Sequence, residues 1–253
     1  MTQKTQGPPP TGEAYAEFEY AFGFFNAELF DGRLPSPLFT FQRKKNAHGY
    51  LSHDRFVHKV HGNRVCELAM NPTYFAIETL EETMQTLVHE MVHLDQLLNG
   101  NPGRRRYHNK EWASMMEAVG LMPSSTGRPG GKRTGENMSD YVIPGGRFQL
   151  ACKSLLSSQF RISWLDRYPA RARVANSPHL VLTPGEDTEP DEDEGDDPHP
   201  TAEDLADLGI ETPGEGKKKY QKKYECKSHT IKLWGKPGIN VVCGECHKRL
   251  EES

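Results

Sequence analysis

The sequence has no run of 18 or more apolar residues, so nothing in it is long enough to span a membrane. The opening "MTQKTQGPPPTGEAY" has no apolar core, which predicts that no signal peptide is present and that the protein is cytoplasmic. There is no G-x-x-x-x-G-K-[ST] run, so no nucleotide-binding phosphate loop is expected, and no internal repeat. Hydrophobic residues make up only 35% of 253, so part of the chain cannot be packed into a core. Cysteines number five, an odd count, and three fall in the last 28 residues. In a reducing compartment such clustering reads as metal ligation rather than disulfide bonding. Cys66 and Cys152 lie in apolar stretches and read as small core residues. Residues 181–211 contain no Lys or Arg against 13 Asp+Glu, whereas residues 101–175 hold 13 Lys+Arg against 5 Asp+Glu. The net charge of −4 therefore conceals a basic region and an acidic tract.

Four segments follow from this distribution: a disordered Pro/Gly-rich stretch 1–12, a folded domain 13–169, a linker 170–223 that is acidic and then basic, and a small module 224–253. In the domain, Tyr15, Phe18, Phe22, Phe25 and Leu29 recur at helical spacing up to Asp31-Gly32. "PLFTFQR", "HGYLS" and "RVCELAMNP" read as short strands, with "HKVHGN" as a turn. Residues 79–99 form the clearest helix. Thr79 and Glu82 make a capping box, Gly100 ends it, and Leu87, Met91, Leu94 and Leu98 form an apolar stripe. Asn109 is an N-cap for a helix running to Gly120, and "RFQLACKSLLSSQF" reads as another. "SSTGRPGGKRTGENMSDYVIPGG" reads as irregular, Gly-rich and basic.

The 79–99 helix carries "HEMVH". Residues i and i+4 are about 40° apart around a helix, so His89 and His93 can direct imidazole nitrogens at one ion, with Glu90 beside it as a base. Catalytic zinc uses three protein ligands and leaves one position open. The third must come from elsewhere in the chain. His108, just ahead of the next helix, is the best placed, and His48, His53, His58 and His61 are competitors. Gln96 shares roughly the same face as a supporting or a solvated residue. Arg104, Arg105 and Arg106 precede His108, and Lys132 and Arg133 follow in the Gly-rich stretch. These five are candidate DNA-backbone contacts, with Tyr107, Trp112, Tyr141, Phe148 and Trp164 interleaved among the basic residues. For Trp112, on a helix, a core position is the simpler expectation.

The C-terminal module offers Cys226, His229, Cys243 and Cys246, as C-x2-H, 13 residues, then C-x2-C. Paired knuckles of this kind make a closed tetrahedral structural zinc site. "TIKLW" and "INVV" read as a hairpin, completing a zinc ribbon, and about 27 residues cannot fold without such a staple.

The stretches "NPTYFA", "EETMQTLVHEMVHLDQ" and "NPGRRRYHNKEWASMMEAVGLMPSSTGRPGGKRTGENMSDYVIPGGRF" resemble the SprT-like family of zinc metallopeptidase-like domains, which includes Spartan. The resemblance runs from residue 14 to about 165 and then through the C-terminal module. Asn109 stands where the family often has Gly, and His229 where it usually has Cys. The resemblance implies His89, His93 and His108 as zinc ligands, Glu90 as catalytic base, and a protease acting on DNA-associated proteins. The expected architecture is α+β and zincin-like: a short, mainly antiparallel sheet against the HExxH helix, with a zinc ribbon beyond a linker. The expected function is a zinc-dependent metalloendopeptidase with one catalytic and one structural zinc, a protein substrate and DNA as a partner. The alternatives are a non-catalytic, zinc-containing DNA-binding protein and a zinc hydrolase of a non-peptide amide. Nothing in the sequence sets an oligomeric state.

Overall fold

The computed structural model describes residues 8–45, 47–104, 107–170, 208, 210 and 222–252. It divides into two units, 1–212 and 213–253.

The first unit opens with α1 (Pro10–Phe30), which starts three residues before the expected helix and inside the stretch read as disordered. Pro10 is at home there: its fixed φ suits the first helical turn, and its missing N–H would have had no helical partner. Phe18, Phe22, Phe25 and Leu29 are buried as their spacing implies, and Asp31 ends the helix in the left-handed conformation. Next come β1 (Leu38–Phe41), β2 (Gly49–Val57) and β3 (Arg64–Met70), in the order β1-β3-β2. β2 runs antiparallel to β3, as a sheet built from hairpins would require, but β1 lies parallel to β3. The main sheet is therefore mixed. β2 also runs five residues past "HGYLS", through an irregularity between Ser52 and Phe56.

α2 (Leu80–Asn99) is the central helix. The Thr79 hydroxyl accepts from the Glu82 N–H, and the Glu82 carboxylate accepts from the Thr79 N–H, which satisfies two otherwise orphaned donors. Met84, Leu87, Val88, Met91, Val92 and Leu94 are fully or almost fully buried, each contributing about 1.5–3 kcal/mol of apolar transfer. Leu98 lies at the exposed end of the expected stripe, 47% accessible. Arg33 donates to both carboxylate oxygens of buried Asp95, at 2.9 and 2.5 Å, tying the turn after α1 to α2.

α3 (Lys110–Val119) begins at Asn109, whose side chain accepts from the Trp112 N–H. β4 (Leu121–Ser124) and β5 (Ser139–Val142) then pair antiparallel across the Gly-rich stretch, so part of a segment expected to be irregular forms a strand. α4 (Arg147–Ser157) packs Phe148, Cys152 and Leu155 into the core. Most of the 170–223 linker lies outside the described residues. Of it, Ile210 is buried against Ala76.

The second unit is small. β6 (Lys222–Glu225) pairs antiparallel with both β7 (Lys232–Gly235) and β8 (Glu251–Glu252). "TIKLW" therefore pairs with the lysine-rich segment before Cys226 rather than with "INVV", where Val242 makes an isolated bridge to Arg249. The core of this unit is Tyr224, Cys226, Cys243 and Leu250. No helix among the described residues is long and apolar enough to cross a membrane.

Candidate metal centres

One nitrogen from each of His89, His93 and His108 lies within 4.8 Å of the other two. His93 Nε2 and His108 Nε2 are 3.2 Å apart. Two nitrogens bound tetrahedrally to zinc at about 2.0–2.1 Å would sit about 3.3–3.4 Å apart, so the spacing fits. The outer nitrogens are occupied. His89 Nδ1 lies 2.7 Å from Asp140 Oδ2, and His108 Nδ1 lies 3.1 Å from the Gly135 carbonyl. Nε2 of both rings is thereby left to face the cluster.

Two helices and the Gly-rich stretch build this convergence. α2 supplies His89 and His93 one turn apart. His108 is held by the Asn109 cap and by two backbone hydrogen bonds to Gly135. The chain between the two helices is fastened to α2 by Gln96, whose amide donates to Asn109 Oδ1 at 2.8 Å and Glu111 Oε2 at 2.9 Å. Gln96 is thus a buried brace, which its position on the helix face left open. Trp112 is fully buried beneath the histidines: parallel to His93 at 5.4 Å between centroids, and edge-on to His108 at 4.3 Å and to His89 at 5.2 Å. It is the floor of the site.

Glu90 is 7% accessible. Burial pushes its carboxyl above the ordinary range, against the opposing pull of His89 and of a backbone N–H from Leu51. Its stem touches β2 closely: a Cβ on Gly49 would lie 3.2 Å from Glu90 Cγ, 3.1 Å from Thr86 Cγ2 and 3.0 Å from the Ala69 carbonyl. Only glycine lets the strand approach this near. Burial lowers the pKa of His93 far below normal, helped by the two neighbouring imidazoles. Burial also opposes a charge on His89, but the hydrogen bond and charge of Asp140 outweigh it and hold the pKa up. A zinc ion at this cluster would take the position that the second proton would take, so the same carboxylate would also favour the metal.

The competing histidines are used elsewhere. His48 stacks on Tyr74 and lies 2.5 Å from Glu78, His53 is beside Asp54, and His58 and His61 stack on each other in the β2–β3 turn. Arg104 is exposed, as is Lys132, while Arg133 is ion-paired with Glu117 of α3. Arg105 and Arg106 lie outside the described residues. Asp140 and Gln85 were not identified from the sequence. The one available signal was the aromatic and β-branched run "DYVI", a short strand after the Gly-rich stretch.

In the second unit, Cys226, His229, Cys243 and Cys246 converge. Cys226 Sγ is 3.6 Å from Cys246 Sγ, and His229 Nδ1 is 3.7 and 3.6 Å from the sulfurs of Cys226 and Cys243. Tetrahedral zinc at about 2.3 Å from sulfur and 2.0–2.1 Å from nitrogen sets about 3.8 Å between sulfurs and 3.6 Å between sulfur and nitrogen. The fit is close. Backbone N–H groups, chiefly that of Cys246, lower the Cys243 thiol to about 6, so it is ready to bind as thiolate at neutral pH.

A SprT-like family model matches residues 19–129. The uncharacterized protein in the mucB 3' region of Salmonella typhimurium is 46% identical over 59 residues, covering 23% of this chain and 80% of that protein. No solved structure matches. The matched region begins within α1 and takes in the HExxH helix, the Gln96 brace and His108, and on these grounds the chain belongs to the SprT-like family.

Proposed function

We propose that this protein is a zinc-dependent endopeptidase that acts on proteins held on DNA. The carrying observation is a three-histidine cluster with a buried glutamate beside it. A site that only held metal for structure would gain nothing from a carboxylate buried at an energetic cost next to its ligands.

His89, His93 and His108 would hold zinc through Nε2. The ion supplies Lewis acidity to a peptide carbonyl and to water. Glu90 takes a proton from the attacking water and delivers it to the departing amine nitrogen. Its raised affinity for a proton suits both halves of that transfer. The substrate lies extended along β2, an edge strand of the main sheet whose Leu51 N–H already points at Glu90. Trp112 keeps water from beneath the cluster.

DNA as the recruiting partner rests on charge and position. Arg104, Arg128 and Lys132 are exposed, and the loop that carries the last two is joined to the third ligand through Gly135. Phosphate contacts there would bring DNA alongside the histidine cluster. The test is cleavage of one protein substrate, free and bound to DNA, by zinc-loaded enzyme. Faster loss of the DNA-bound form is expected. Equal rates would remove DNA from the account, and no cleavage of either would remove the peptidase.

A further inference from the structure

Asp140 is 2% accessible, and its carboxylate meets His89 and the buried Gln85. One carboxylate oxygen lies 2.7 Å from His89 Nδ1. The other accepts from Gln85 Nε2 at 2.7 Å, and the same amide donates to the Asp140 carbonyl at 3.0 Å. Gln85 stands one turn before His89 on α2, so a single helix face presents both the ligand and the group that grips its partner. Asp140 arrives from β5, at the far end of the Gly-rich stretch that also supplies Gly135 to His108.

An imidazole that binds metal through Nε2 must carry its proton on Nδ1, and that proton needs an acceptor. A carboxylate is the strongest acceptor available, and its charge makes the opposite nitrogen a better donor to a cation. We propose that Asp140, held by Gln85, is a positioning residue of the metal centre, fixing the His89 tautomer and setting the affinity of the three-histidine site for zinc. The proposal rests on that cluster being a zinc site and does not depend on the substrate.

Asparagine is a poor replacement here. If its oxygen faces His89, its amide faces the Gln85 amide, donor against donor. If Gln85 turns over, its oxygen meets the residue-140 carbonyl. The test is zinc binding by the full-length protein against a chromophoric chelator, with the four-ligand cysteine site as internal reference, alongside the Co2+ absorption of the histidine site. Asp140→Asn should weaken the histidine site about 10- to 100-fold and alter its cobalt spectrum. The reference site should keep its wild-type affinity, and the metal-free Asp140→Asn protein should melt at a lower temperature but still cooperatively, because the mismatched amide is buried. Gln85→Met, which leaves the carboxylate in place, should give a smaller loss in the same direction, and it decides the matter if Asp140→Asn does not fold. Wild-type affinity in the folded variants, or a loss no greater than their unfolded fraction, would overturn the proposal. A wild-type protein with no ion at the histidine cluster would instead overturn the zinc reading beneath it.

Discussion

Replacing Gly49 by alanine tests the contact that presses β2 onto α2 beside Glu90. The added methyl would lie 3.0–3.2 Å from the Ala69 carbonyl, Thr86 Cγ2 and Glu90 Cγ. Contacts this short are tighter than ordinary van der Waals packing, so the neighbours must give by a few tenths of an ångström. Two of the three belong to α2 and the third to the central strand, so the strain cannot be confined to a surface side chain. Overpacking of this kind costs about 1–3 kcal/mol. Gly49 is not in the left-handed region, so alanine recovers about 0.4–1 kcal/mol by restricting the unfolded chain. The net is about 1.5 kcal/mol, or about 3–6 °C in Tm for a domain of this size. Displacing Glu90 by a few tenths of an ångström should also cost roughly 5- to 10-fold in cleavage, scaled from about 100-fold per ångström. Calorimetry of the zinc-loaded variant and a cleavage time course measure both effects. A Gly49→Ala protein as stable and as active as wild type would refute the reasoning, because the strand would not then be bearing on Glu90.

Three further outcomes follow from the geometry. Cys243→Ser should lower zinc from two ions per chain to one and abolish the protection of amides in β6 and β7, read by metal analysis and hydrogen exchange; an unchanged count would contradict the ribbon. Joint replacement of Arg104, Arg105 and Arg106 by alanine should reduce the slope of log K against log salt for DNA by about 2–3, and an unaltered slope would exclude the triplet from the interface. Acid should release zinc from the histidine site. Asp140 holds the His89 pKa up while that of His93 is far down, so His89 takes a proton in place of the metal before His93 does. Affinity should then fall about tenfold per pH unit below the His89 pKa, as measured by chelator competition. Affinity that rises or stays flat on acidification would contradict this order.

The parts of the molecule legible in the sequence are those set by contacts within a few residues. The Thr79–Glu82 box, the i, i+4 histidines, the Asn109 cap and the two ligand knuckles are all local, and each appears where its spacing places it. Long-range pairing was not legible. Nothing in "PLFTF" distinguishes a parallel from an antiparallel neighbour, because alternation fixes a strand's faces and not its partner. β6 was hidden in a lysine run, where composition argued for a linker, although Tyr224 supplies the core residue that makes it a strand. Asp140 was hidden because a lone aspartate after a glycine-rich loop has no spacing to reveal it; only the β4–β5 pairing carries it to His89. The same holds for Gln96, whose brace depends on where the next helix begins.

The claim that this histidine cluster is a catalytic zinc centre is tested most directly by one paired measurement on Glu90→Gln and wild type: zinc content and cleavage of a DNA-bound protein, taken from the same samples. Glutamine keeps the shape of Glu90 and cannot transfer the proton. The account predicts two zinc ions per chain in both proteins, with cleavage only in wild type. Cleavage by Glu90→Gln at the wild-type rate, or a wild-type protein that carries zinc and cuts nothing, would contradict it.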